Sequence, residues 1–148
     1  MKTSVKIAVF FLLTVLFFNV SNSQSQTTSV KQDTVSPPSK LAVLWTSGDR
    51  DVALKMVFMY TYNTKAKGWW DTIQLIVWGP SSKLLSQDTE LQEYVKKMLS
   101  VGVEVVACKA CADSYGVSAK LESLGVIVKY MGEPLTKMLK SDWKVMTF

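Results

Sequence analysis

The chain has 148 residues, a net charge of +5 and no histidine. Without histidine, one chain can build neither a Ser-His or Cys-His dyad nor a His-ligated metal site. The lysines are scattered among acids rather than gathered into a stripe, which excludes nucleic acid as a partner.

The chain opens with Lys2 and Lys6, an uncharged apolar run Ile7–Val20, and the small residues Ser21 and Ser23. This is the pattern of a secretory leader, residues 1–23, with cleavage expected before Gln24. The apolar run has fourteen residues, short of the about 20 that a spanning helix needs. The membrane therefore enters only through this segment, and only if it stays uncleaved. No cysteine follows it closely enough to carry a lipid. Loss of Lys2 and Lys6 with the leader lowers the charge from +5 to +3. The expected location is outside the cytoplasm, in the periplasm or cell envelope. Residues 24–39, "QSQTTSVKQDTVSPPS", are polar and carry Pro37-Pro38. They cannot bury apolar surface and read as a flexible linker. One compact domain, residues 40–148, is left.

The domain begins with "LAVLWTS", Leu41–Ser47, a buried strand ending at a Gly turn. Asp49 or Asp51 can cap the helix that follows, residues 52–67, with Gly68 as its stop. That helix is apolar nearly all round: Val52, Met56 and Met59 form one stripe, Ala53, Val57 and Tyr60 a second, Leu54, Phe58 and Tyr62 a third. One sheet covers one side only, so the remainder is expected to meet another subunit, with Trp69 and Trp70 adding surface at the same end. "TIQLIVWG", Thr72–Gly79, is the second strand. Gly79-Pro80-Ser81-Ser82 turns into a helical turn "KLL". Asp88 or Thr89 then caps a fuller helix, with Thr89 and Gln92 spaced as a capping box and Glu93–Lys97 as a favourable pair. Val103–Ala107 is the third strand and the next residues start a helix at Cys108 or Lys109. Ser118–Gly125 is a short helix, Val126–Tyr130 the fourth strand, Glu133-Pro134 a helix start, and Trp143–Phe148 a final strand. This alternation predicts an α/β fold, a five-stranded, mainly parallel sheet covered by helices on both faces.

Cys108 and Cys111 are the only cysteines. Chemistry in an open α/β sheet gathers beyond the carboxyl ends of the strands, and Cys108 stands there. A helix start and the adjacent Lys109 would both favour a thiolate, and Cys111 lies one turn on, within reach. Two soft ligands without histidine do not make a zinc site, so no metal and no cofactor are expected. A C-x-x-C at a strand-to-helix junction also fits a dithiol–disulfide pair, or two packed hydrophobes, a reading better suited to Cys111 than to Cys108. Asp49, Arg50, Gly79 and Ser81 fall at the same sheet edge. Arg50, the only arginine, fits either an anion clamp or a solvated loop charge.

The stretches "LAVLWTSGD", "LIVWGPSSKLL", "ACKACADSYGV" and "VKYMGEPLTKMLKSDWKVMTF" carry a resemblance over the whole domain. The chain resembles the DsrE/DsrF-like family of small sulfur-relay proteins, and most of all an exported subgroup sharing the WGPS and CKACAD stretches. The resemblance implies a three-layer α/β/α sandwich and assembly into trimers or hexamers. In the sulfur-transferring members a cysteine at a strand end carries a persulfide and is followed by seven residues and Gly-Val. Here Cys108, "KACADSY" and Gly116-Val117 match, and Cys111 is an addition. Three functions follow as candidates: a sulfur carrier exchanging with donor and acceptor proteins through Cys108, an envelope dithiol–disulfide protein using both cysteines, and an oligomeric module binding a ligand or partner through Asp49, Arg50, Gly79, Ser81 and Lys109 without catalysis.

Overall fold

The structure is a computed structural model that describes residues 38–148. The expected leader and all but the last two residues of the expected linker lie outside the described residues. Ser39 is fastened to the domain: its backbone N–H and its hydroxyl both donate to Asp71 Oδ2, at 2.7 and 2.8 Å.

Five strands form one parallel sheet: β1 (Lys40–Trp45), β2 (Thr72–Val77), β3 (Glu104–Cys108), β4 (Ile127–Lys129) and β5 (Lys144–Thr147), in the spatial order β4-β3-β2-β1-β5. The three inner strands are mostly apolar because parallel strands are buried on both faces, with Gln74 in β2 and Glu104 in β3 as polar exceptions that hydrogen-bond each other at 2.7 Å. The edge strands are short and partly exposed.

The first helix, α1, runs from Arg50 to Ala66, and its middle, Ala53–Phe58, is π-helical. Asp49 caps it, its carboxylate accepting from Val52 N–H at 3.0 Å. The helical turn expected after the GPS turn is a full helix, α2 (Pro80–Gln87), with Pro80 at a position where no N–H is missed. Helix α3 (Thr89–Ser100) is capped by Asp88, which accepts from Leu91 N–H at 3.0 Å. The expected capping box does not form, because Gln92 turns inward and donates to Leu85 O and Ser86 O. Glu93 pairs with Lys96 rather than Lys97. Two short helices follow β3, α4 (Lys109–Ser114) and α5 (Ser118–Glu122), and α6 (Gly132–Leu139) precedes β5.

The two faces of the sheet are covered unequally. From β1 to β4 each crossover steps the same way, so right-handedness puts α1 to α5 on one face. That face holds the main core, where Leu41, Val43, Trp45, Ile73, Leu75, Val77, Val105 and Ala107 meet Val57, Phe58, Leu85, Leu91, Val95 and Met98. Only the return from β4 to β5 crosses the other face, bringing α6. There a smaller cluster of Ala42, Ile76, Val106, Cys108 and Met131 is overlaid by Leu135 and Met138. Ile127 and Leu139 stay 47 % and 62 % exposed, and Tyr130 is exposed beside them.

Candidate functional site

Alternation along β3 decides where the first thiol goes. Val105 and Ala107 face the thick side, so Val106 and Cys108 face the thin one. Cys108 closes β3 and is the N-cap residue of α4, with φ −66° and ψ 113°. Its side chain makes no hydrogen bond to the first turn of that helix. It lies instead in the thin-face cluster with Ile76, Val106 and Met131, and is only 4 % exposed. Cys108 therefore stands at the helix start expected from the sequence, without a capping hydrogen bond from its sulfur.

Cys111, one turn on, is half-buried and packs against the same cluster. Both cysteines are free thiols. Burial pushes the Cys111 thiol up, and so does its hydrogen bond to the Cys108 sulfur, while an N–H donated by Gly79 pulls the other way. The exposure order is thus the reverse of the one read from the sequence: Cys108 is the packed residue and Cys111 the one nearer solvent.

Gly79 sits at φ +70° and ψ −134°, a conformation that favours glycine. A Cβ built there would meet nothing within 4 Å. Ser81 is fully buried and holds the turn in place. Its hydroxyl accepts from Trp78 N–H at 2.9 Å and donates to Trp45 O at 2.7 Å, tying the turn to β1. Gly48 abuts Pro80, where a Cβ would lie 3.3 Å from the proline ring. The loops after β1 and β2 therefore touch, and the loop after β2 reaches the thiols.

The remaining candidates are engaged elsewhere. Arg50 donates from Nε to Asp88 Oδ2 at 2.7 Å and from Nη2 to Glu90. Its guanidinium ties α1 to the start of α3. Asp49 is spent on its cap. Lys109 pairs with Asp113 at 2.8 Å, which also accepts from Ser118 Oγ at 2.6 Å, and lies 6.0 Å from the centre of the Tyr130 ring. Asp113 is held below the usual carboxylate range, first by Lys109 and then by Ser118. The crevice between β1 and β5, where the strand order reverses, receives the Phe148 carbonyl oxygen. That oxygen accepts from Thr46 N–H and Oγ1, both at 2.7 Å, and from Ser47 N–H at 3.2 Å. The structure thus brings together Cys108, Cys111, Gly79 and, through the turn, Ser81. It does not bring Asp49, Arg50 or Lys109 into direct contact with either thiol.

Sequence reasoning missed Met131, which is fully buried against Cys108's cluster. The signal available was the apolar residue ending the fourth strand's loop, at the same sheet edge. Among the described residues no three metal-ligating side chains gather, and no helix is long and apolar enough to cross a membrane. One cavity of about 290 Å³, lined by Met59, Tyr60, Asn63, Lys67 and Trp69, lies toward the far end of α1 from the thiols.

Residues 40–148 match the model of the DsrE/DsrF-like family. The chain belongs to that family. Among solved structures similar to this DsrE-like chain is a conserved protein of unknown function from Bacteroides thetaiotaomicron, BT1422. It has 40 % identity over 74 % of this chain and 94 % of that one, with a TM-score of 0.72. MTH1491 from Methanobacterium thermoautotrophicum, also of unknown function, shares 18 % identity over 74 % of this chain and 99 % of its own, with a TM-score of 0.64. The ychN protein from E. coli shares 17 % identity over the same shares, with a TM-score of 0.57. The last two speak to the fold alone. No curated protein matches the chain.

Proposed function

We propose that this DsrE-like protein is a sulfur carrier, holding a persulfide on Cys108 and working outside the cytoplasm. The observation that carries the reading is a pair of free thiols sharing one apolar cluster at the carboxyl end of an inner strand. A thiolate attacks the outer sulfur of a persulfide donor, the donor's S–S bond breaks, and the donor leaves as a thiolate. A neighbouring thiol can then release the sulfur: attack on the inner sulfur expels sulfide and leaves a Cys108–Cys111 disulfide. No metal or cofactor is needed for either step. The leader pattern supports export, and the apolar residues left exposed on the thin face and along α1 support assembly of several copies, a trimer or hexamer. The decisive experiment is peptide mapping by mass spectrometry after loading with a persulfide and removing excess donor. A mass gain of one sulfur atom on Cys108 is expected, and its absence from Cys108 in the wild-type protein overturns the carrier role.

A further inference from the structure

Resting on the carrier role proposed above, we infer that sulfur enters this protein at Cys111 and is then handed to Cys108, so that Cys111 is the receiving thiol and Cys108 the sheltered store. Three observations carry the order of transfer. Cys108 is 4 % exposed, in one apolar cluster with Ile76, Val106 and Met131, which leaves no room for a donor the size of a peptide or protein to bring its outer sulfur into line. Cys111 is half-buried and packs against the cluster that contains Cys108, so it stands between that enclosure and solvent. Gly79, in the turn after β2 at the same sheet edge, has no side chain and leaves open space there. Lys109, the cation nearest in sequence, is tied to Asp113.

The first step is an exchange with a donor R–S–S–H. The Cys111 thiolate attacks the outer sulfur, the S–S bond to the donor breaks, and the donor departs as R–S⁻. Cys111 now carries the persulfide. In the second step the Cys108 sulfur attacks that same outer sulfur, the Cys111 S–S bond breaks, and the Cys108 proton passes to the Cys111 sulfur. The pair begins as a Cys111 persulfide and a Cys108 thiol and ends as a Cys108 persulfide and a Cys111 thiol, with no oxidant or reductant consumed. Transfer into the apolar enclosure shields the persulfide from other thiols, and a small acceptor or the return path through Cys111 withdraws it.

Glutathione persulfide as a bulky donor and inorganic polysulfide as a small one test this order, with rapid quenching and peptide mapping of the full-length protein. In the wild type the extra sulfur is expected first on Cys111 and then on Cys108. Cys111→Ser should slow loading of Cys108 by glutathione persulfide about tenfold or more, while polysulfide still loads Cys108, which also shows that the variant is folded. Cys108→Ser should leave the sulfur stranded on Cys111. Loading of Cys108 in Cys111→Ser at the wild-type rate with the bulky donor overturns the relay and leaves the Cys108 carrier intact. No uptake by Cys111 in Cys108→Ser also overturns it. Sulfur on neither cysteine of the wild type overturns the relay and the carrier role together.

Discussion

The two faces of one sheet are built for different ends. The thick face is closed by five helices, and its largest residues interlock. Trp45 meets Phe58 edge-on with ring centres 5.0 Å apart, and Phe58 in turn meets Tyr94 at 5.5 Å. The thin face has one helix, half-buried aliphatics and both thiols. A close-packed face resists any change of volume. A lightly covered one leaves side chains near solvent and lets a reagent approach. The difference teaches that stability and chemistry are separated here by a single pleat: Ala107 belongs to the first face and Cys108 to the second.

Substitutions on each side can break or sharpen that division. The largest effect is expected from Phe58→Ala on the thick face, a loss of about 3–5 kcal/mol in chemical denaturation, because a fully buried ring leaves a cavity among fixed neighbours. A loss on the thin face from Leu135→Ala as large as that would erase the contrast. Ser81→Ala comes next, at about 0.5–1.5 kcal/mol, since it removes the hydroxyl bonded to Trp45 O and Trp78 N–H while Trp78 N–H keeps Trp45 O as acceptor. It should also slow the reaction of Cys111 with persulfide by loosening Gly79, a readout that lost stability alone would not give. Asp88→Ala should cost about 1 kcal/mol as a lost helix cap. Asp88 sits below the usual carboxylate range, first because of Leu91 N–H and then because of Arg50. Its contribution is therefore full above the ordinary carboxylate pKa of about 3.9 and is lost as pH falls through the depressed one. Denaturation curves for wild type and variant should converge in acid.

Leu135→Ala is expected to cost about 1 kcal/mol, because the thin face can collapse around a half-buried residue. The smallest effect belongs to the thiol itself. With its folded pKa raised, Cys111 lends stability that is full below the ordinary thiol pKa of about 8.5 and is lost as pH rises through the raised value. The melting temperature of the wild type should fall slightly more than that of Cys111→Ser between neutral and alkaline pH. An identical fall in both would mean that neither burial nor the Cys108 sulfur raises the Cys111 thiol.

Much of this molecule was legible before folding. Apolar runs bounded by Gly79 and Gly102 mark their strand and helix ends within two residues, the helix expected over Ser118–Gly125 stops at Glu122, and the alternation of the elements fixes the parallel α/β class. The cysteines could be set at a strand-to-helix junction because Val103–Ala107 is apolar apart from Glu104. These are local properties: a strand or a helix is recognisable by the period of its own side chains. The stop after "KLL" was read too short, since Ser86 and Gln87 carry no apolar signal although their backbone stays helical.

What the sequence by itself determined, then, is the order of elements, the fold class and the identity of the two thiols. Only the tertiary structure decided which thiol is enclosed, that Gly79 faces Cys111, and that Arg50 is engaged by Asp88, 38 residues away. It also decided that five helices crowd one face while a single one crosses the other. Each of these depends on where a crossover returns the chain and on which way a pleat turns at its last residue. Such placements are set by long-range packing, and nothing in the spacing of neighbouring residues records them.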